Sequence, residues 1–245
     1  MRQKRPKDRV YAEPRASVGR FCFDSAVARV FEDMIERSVP GYATTLEMIS
    51  VLAARYVAPG SRCYDLGCSL GAASLALQRG IRVPGCTIVA IDDSPAMLAQ
   101  ARRRLPAPGG QTPIELRQGD IRDTPVNDAS MVVLNFPLQF ISPAERPALL
   151  GRIHAGLRPG GVLLLSEKIR FREPDRERLM TELHHAFKRA NGYNELEIGQ
   201  KRQALEEVLV PETLEVHRAR LAAAGFRRVE PWFQCFNFAS LVAFR

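Results

Sequence analysis

The chain has no run approaching the roughly 20 apolar residues that a membrane-spanning helix needs, and its opening, MRQKRPKDRV, lacks the apolar stretch of a secretory signal. A soluble, cytoplasmic protein is the expectation. The five cysteines (Cys22, Cys63, Cys68, Cys86, Cys235) are odd in number and contain no C-x-x-C pair. That pattern speaks against a disulfide framework or zinc ribbon and for a reducing compartment with mostly buried thiols. His184 and His185 are adjacent, so on a helix they point about 100° apart and are poorly placed to chelate one ion. They read as structural or surface residues, and no metal is expected. No internal repeat is visible, and biased composition is confined to the charged start and a Pro/Gly connector, LPAPGGQTP, at 105–113.

What is present is ordinary for a globular enzyme: 245 residues, 46% hydrophobic and 25% charged. Residues 1–20 hold seven basic side chains against two acidic ones, so +5 of the formal +8 falls on this leader. Residues 1–20 therefore read as a basic, flexible leader and 21–245 as one domain. Such a leader can attract nucleic acid by counterion release, and it can equally be a solvated tail. A non-catalytic RNA-binding role stays open on this ground alone, and deleting residues 1–19 would separate it from any chemistry.

Beyond the leader the pattern alternates. Two amphipathic helical segments, FDSAVARVFEDMIERSVPGY and TTLEMISVLAARYV, precede five short apolar runs: RCYDLG (62–67), CTIVAID (86–92), IELRQGD (114–120), SMVVLNF (130–136) and GVLLLSEK (161–168). Helical periodicity separates them in ASLALQRG, PAMLAQARRRL and PAERPALLGRIHAGL. Strand, helix, strand in repetition predicts right-handed crossovers and a largely parallel sheet. The tail departs from this rhythm, with helices over 174–192, 195–209 and 211–226, the last ending at Gly225, then two adjacent strands in RRVEPWFQCFN and FASLVAFR. The predicted fold class is thus α/β and Rossmann-like: a mostly parallel seven-stranded sheet with a final antiparallel pair and helices on both faces. Trp232, Phe233, Phe236 and Phe238 read as core or subunit-contact aromatics.

Asp65-Leu66-Gly67-Cys68-Ser69-Leu70-Gly71 falls where the first strand ends and a helix begins, the place where open α/β sheets bind ligands. It is not a dinucleotide fingerprint, because Ser69 stands where G-x-G-x-x-G needs its middle glycine, and it is not a P-loop, because no Gly-Lys-Ser/Thr follows. It resembles motif I of class I S-adenosylmethionine (SAM) enzymes, whose ligand has no phosphate to cradle. Asp92, 25 residues past Gly67, ends the next strand, where a carboxylate can accept from both ribose hydroxyls. Asp93 is a candidate N-cap before Pro95. Gly119-Asp120-Ile121 follows the third strand, where SAM enzymes bracket the adenine, and Leu157-Arg158-Pro159-Gly160-Gly161 turns into the fifth.

Longer strings sharpen the resemblance. Ser38-Val39-Pro40-Gly41-Tyr42, the loop from Asp65 to Ala73, Ala90-Ile91-Asp92-Asp93-Ser94-Pro95-Ala96-Met97, Gly119 to Asp123, Met131 to Phe136, Phe187-Lys188-Arg189-Ala190-Asn191-Gly192-Tyr193 and Trp232 to Phe238 together resemble the carboxy-S-adenosyl-L-methionine synthase family, from about residue 20 to the end. The resemblance implies conversion of SAM and prephenate to carboxy-SAM and phenylpyruvate, supplying the donor for carboxymethylation of a wobble uridine in tRNA by another enzyme. It also implies a homodimer with no nucleic-acid contact of its own. By the same resemblance Tyr42, Gly67, Cys68, Ser69, Asp92, Asp93, Asp120, Ile121 and Asn135 line the SAM pocket, and Arg202 binds the transferred carboxylate. No protein base is implied, since the hydroxide leaving prephenate can take the methyl proton.

The residues add their own hint for Arg202, which falls on a helical stripe with Ile198, Leu205 and Leu209 where a leucine would be unremarkable. It is either a snorkelling or ion-paired arginine, with Glu195 or Glu206 as partner, or a ligand-binding fork that lysine could not replace. Two positions depart from the family pattern: Pro137 removes a backbone donor beside the site, and Asp93 stands where members often carry Asn. A conventional methyltransferase acting on a small molecule or RNA is the alternative that fold and motif I do not separate.

Overall fold

A computed structural model describes residues 6–106 and 112–245, so the first part of the leader and the middle of the 105–113 connector lie outside the described residues. Five runs of β-branched and leucine-rich sequence become β1 (Arg62–Leu66), β2 (Thr87–Asp92), β3 (Ile114–Gln118), β4 (Ala129–Asn135) and β5 (Leu157–Lys168), all in parallel pairing. β6 (Arg228–Cys235) and β7 (Phe238–Phe244) close the sheet, with β7 antiparallel to both β5 and β6. The order is β3-β2-β1-β4-β5-β7-β6, the seven-stranded, mostly parallel arrangement with an antiparallel end pair that the alternation of apolar runs implies.

The strands carry helices on both faces, and residue parity decides which. Tyr64, Leu66, Val132, Leu134, Leu163 and Leu165 point into one core with α5 (Arg146–Gly156) and α8 (Leu214–Ala223). The intervening Cys63, Ile88, Met131, Val133 and Leu164 pack against α2 (Tyr42–Tyr56) and α3 (Ala72–Gly80). β4 and β5 are buried on both faces, which is why they read as unbroken apolar runs rather than alternations. α1 (Ser25–Ser38), α4 (Pro95–Arg104), α6 (Pro174–Ala190) and α7 (Glu195–Glu206) complete the helices.

Several predicted boundaries move for local reasons. β5 begins at Leu157, not at residue 161, and takes a register shift against β4. Arg158 anchors that irregular start by donating to both Asp128 carboxylate oxygens and to the carbonyls of Pro59 and Gly60. α7 stops at Glu206, short of the predicted 209, and α8 starts after the Thr213 cap rather than at 211. The cap of α4 is Ser94, whose hydroxyl accepts from the Met97 N–H at 3.2 Å, and not Asp93, which is exposed.

The leader, expected to be flexible over 1–20, is held from Asp8 onward. Asp8 is buried and accepts from the Tyr193 hydroxyl at 2.5 Å, while its own N–H donates to Asp33 Oδ2 at 2.7 Å. Gln200 on α7 donates to the carbonyls of Tyr11 and Glu13, and the Phe21 N–H donates to the Ala204 carbonyl at 2.9 Å. Segment 8–23 thus lies as a strap against α1 and α7.

One ion network ties α5 and α8 to the segment after β4 and to the segment between α7 and α8. Arg146 is fully buried, donates from Nε to the Ile141 carbonyl at 2.9 Å and from Nη2 to the Val210 carbonyl at 2.8 Å, and pairs with Glu212, which also takes two bonds from Arg220 at 2.6 Å. Glu212→Ala removes the carboxylate bonded to that buried guanidinium and should destabilise the fold by roughly 3 kcal/mol. Urea denaturation measures this. The double substitution Arg146→Met with Glu212→Leu should recover most of the loss, and no recovery would show that packing, not charge, dominates.

Candidate active site

At the carboxyl end of β1 the chain reverses through Gly67 with φ +78°, a conformation disfavoured for residues with a Cβ, and a Cβ there would stand 2.7 Å from Pro137 Cβ. The Gly67 and Cys68 N–H groups donate to the Ile91 carbonyl at 2.8 and 2.9 Å. The Ser69 N–H donates to Asp92 Oδ2 at 2.8 Å and the Ser94 N–H to Asp92 Oδ1 at 2.9 Å. Asp92 thereby fixes both the glycine loop and the start of α4, and each oxygen keeps a further lone pair for a ligand hydroxyl. Burial pushes its carboxyl above the usual range. Asp65, also buried, is pushed up to about 6 by burial, against the 2.6 Å hydrogen bond from Ser74.

Next along the sheet, Asp120 and Ile121 follow β3. Arg122 grips both Asp120 oxygens, with bonds of 2.6 to 3.0 Å, and reaches Glu145 at 2.8 Å. This guanidinium holds the Asp120 carboxyl below its ordinary value. At the end of β4, the Asn135 side-chain oxygen is buried with no hydrogen-bond partner among the described residues. Phe136 follows in a strained left-handed conformation, φ +75°. Glu167 holds the turn beyond it, accepting from the Leu138 and Gln139 N–H groups at 3.0 Å each; burial pushes its carboxyl up to about 8. Tyr42 opens α2 after the left-handed Gly41 and packs on Phe136, ring centroids 6.4 Å apart.

These elements surround one cavity of about 610 Å³. Tyr42, Gly67, Cys68, Ser69, Asp92, Asp93, Asp120, Ile121 and Asn135 all line it; Arg202 does not. Arg202 is exposed on α7, with no ion pair to Glu195 or Glu206 among the described residues; Glu195 pairs with Arg189 instead. The inward position of α7 belongs to its neighbour Lys201, because Ile198, Lys201 and Leu205 recur at three- and four-residue spacing while the next residue is turned by about 100°. The stripe drawn through Ile198, Arg202, Leu205 and Leu209 is corrected accordingly, and Leu209 lies beyond the helix end.

Sequence reasoning missed the opposite wall. Lys168, His184, Lys188 and Lys201 line the cavity together with Phe136 and Phe238. Burial and the neighbouring lysines push Lys188 down to about 7, and burial pushes Lys201 down to about 8. His184, taken as structural or surface, has its Nε2 at 2.8 Å from the Ser38 carbonyl; burial keeps it neutral. A signal existed: Lys168 stands at the carboxyl end of a strand, where open α/β sheets bind ligands, and Lys188 is four residues past His184 on one helix face. All five cysteines are free, and among the described residues no group of three or more metal-ligating side chains comes together.

The comparisons with known proteins agree with this geometry in two stages. Residues 64–161 match the family model described as a methyltransferase domain. Solved structures of a Nostoc punctiforme O-methyltransferase (TM-score 0.62, 19% identity, 90% of this chain and 60% of that longer one) and of human N-acetylserotonin methyltransferase in complex with SAM (0.59, 19%, 90% and 58%) share the fold. The fold is therefore that of the class I methyltransferases. A carboxy-S-adenosyl-L-methionine synthase of Geobacter metallireducens is 58% identical over 239 residues, 97% of this chain and 98% of that one; its namesake in Klebsiella pneumoniae is 53% identical over 97% and 96%. The chain belongs to the carboxy-S-adenosyl-L-methionine synthase family.

The orphaned Asn135 oxygen and the open lone pairs of Asp92 fit a ligand with hydroxyl and ammonium donors, as SAM has. Gly67→Ala forces a Cβ into left-handed backbone against Pro137, so SAM affinity should fall by about tenfold or more. Calorimetric titration with S-adenosylhomocysteine measures it, and an unchanged affinity would show that the loop tolerates the shift.

Proposed function

We propose that this chain converts SAM and prephenate to carboxy-SAM and phenylpyruvate, the carboxymethyl donor then serving wobble-uridine modification of tRNA. The observation that carries the reading is where the likeness extends. The general methyltransferase model ends at residue 161, yet Lys168, His184, Lys188, Lys201 and Phe238, which line the far half of the cavity, lie beyond it and within the segment shared with the synthases.

In this reading Tyr42, Gly67, Cys68, Ser69, Asp92, Asp93, Asp120, Ile121 and Asn135 seat SAM: Asp92 takes the ribose hydroxyls, Asp120 and Ile121 bracket the adenine, and Asn135 meets the amino-acid end. Bound SAM supplies a sulfonium methyl carbon as the acceptor of the carboxylate. The protein's part is positioning and exclusion of water. Phe21 and Phe23 from the strap, with Phe31, Phe136, Phe140 and Phe238, wall the cavity with aromatic surface, which keeps released CO2 from hydration and strengthens every charge contact inside. Arg202 is proposed as a further cation at the rim of this wall, since its charge bears on Lys168, Lys188 and His185. A homodimer in the cytoplasm, free of direct nucleic-acid contact, completes the reading.

Purified protein given SAM and prephenate should yield a nucleoside heavier by one CO2, and none without prephenate, as read by mass spectrometry. Methyl loss to an acceptor, with no carboxylated nucleoside, would establish a conventional methyltransferase in its place.

A further inference from the structure

Burying a cation is costly unless an anion accompanies it, and on the wall formed by β5, α6 and α7 three lysines line the cavity, Lys188 and Lys201 buried and Lys168 half-buried, while the acids that line it, among them Asp65, Asp92 and Asp120, come from other strand ends. Lys201 is engaged: it donates to Ser38 Oγ at 2.9 Å and stands 4.0 Å from Asp8 Oδ2. Lys168 and Lys188 have no carboxylate within ion-pair distance among the described residues. Glu177, the acid whose charge bears on Lys168, accepts the Phe171 N–H at 2.8 Å. The groups facing Lys188 are Lys168, Lys201, Arg202, His184 and His185, and those facing Lys168 are Glu177, Arg202, Lys188 and the same histidines. Both ammonium groups open onto a cavity otherwise walled here by Phe136 and Phe238.

Their place in the sheet separates them from the nucleoside. Lys168 ends β5, three strands from Asp92 at the end of β2, which is about 14 Å at about 4.8 Å per strand. We propose that Lys168 and Lys188 form the anion-binding subsite of the second substrate and hold the two carboxylates of a small, ring-bearing dicarboxylate. The identity of that dicarboxylate as prephenate rests on the function proposed above.

The assignment fits the balance of the reaction. In prephenate the bonds from the ring to its carboxylate and to its hydroxyl break as the ring aromatises. The released CO2 forms a bond to the SAM methyl carbon, and the methyl proton joins the departing hydroxide as water. One carboxylate leaves the second substrate and one appears on the nucleoside, so the number of carboxylates facing the two ammonium groups is the same before and after transfer.

The test uses the full chain with Lys188→Met, Lys168→Met and Lys188→Arg. Each Met variant should raise KM for prephenate roughly 10- to 100-fold, the scale of a lost charge-assisted hydrogen bond, while affinity for S-adenosylhomocysteine stays within about twofold. Lys188→Arg should retain prephenate binding. It should also remove the rise in KM expected of the wild type above pH 7, where Lys188, held low by burial and its lysine neighbours, loses its proton. Thermal melting confirms that each variant is folded. An unchanged KM in both Met variants overturns the assignment. So does a parallel loss of S-adenosylhomocysteine affinity, which would place the lysines on the carboxylate of SAM itself. A wild type that makes no carboxylated nucleoside from prephenate refutes the functional reading first, and this assignment with it.

Discussion

The carboxylate of Asp92 is the clamp on which one half of the cavity depends. Its two oxygens take the N–H groups of Ser69 and Ser94, so one side chain at the end of β2 ties the loop after β1 to the cap of α4. The Ile91 carbonyl just before it takes two more N–H groups, from Gly67 and Cys68. In a parallel sheet the carboxyl ends of neighbouring strands carry no hairpins to join them, and these four bonds serve that purpose here. They also explain why the loop needs glycine at 67: the backbone turns left-handed where Pro137 already fills the space a Cβ would take.

The other half of the cavity works on the opposite principle. Around Asp92, backbone dipoles answer a buried negative charge; around Lys188, nothing in the described chain answers a buried positive one. The first arrangement is complete without a ligand, apart from spare lone pairs, whereas the second is completed by an anion. Glu167 stands between them in the fold. By accepting the Leu138 and Gln139 N–H groups it fixes the turn that begins with Asn135 and the left-handed Phe136, so the boundary between the halves is set by a side chain that does not line the cavity.

That the residues around Asp92 line one cavity was legible in the sequence because this part is built from local signals: a strand run, a glycine turn, and an acid at the next strand end. Each lies within a few residues of its structural partner or one βαβ unit away. The lysine wall was not legible, because its members come from β5, α6 and α7 and meet only through tertiary packing. Read singly, Lys188 in FKRANGY or Lys201 in GQKRQ resembles any solvated helix residue. Arg202 illustrates the same limit at finer scale. A stripe through α7 is drawn equally well through residue 201 or 202, and only the packing of Ile198 and Leu205 decides that Lys201 turns inward. The leader's charge count likewise concealed that Asp8, not its basic neighbours, makes the buried contact.

Asp8 bears on how many free cations the wall presents. Its carboxylate takes the Tyr193 hydroxyl, sits 4.0 Å from the Lys201 ammonium, and reaches this place only because the strap runs along α7. Lys201 is thereby partly neutralised and directed to Ser38, whose carbonyl also meets the His184 ring at 2.8 Å. Burial keeps that imidazole uncharged, so it adds no further positive charge. A strap that supplies one acid to one of three lysines leaves two, which is the count a dicarboxylate requires. The same strap brings Phe21 and Phe23 to the cavity lining, so the segment that places an acid beside Lys201 also adds apolar surface to the site, and apolar surface lowers the local dielectric in which the wall's charges act.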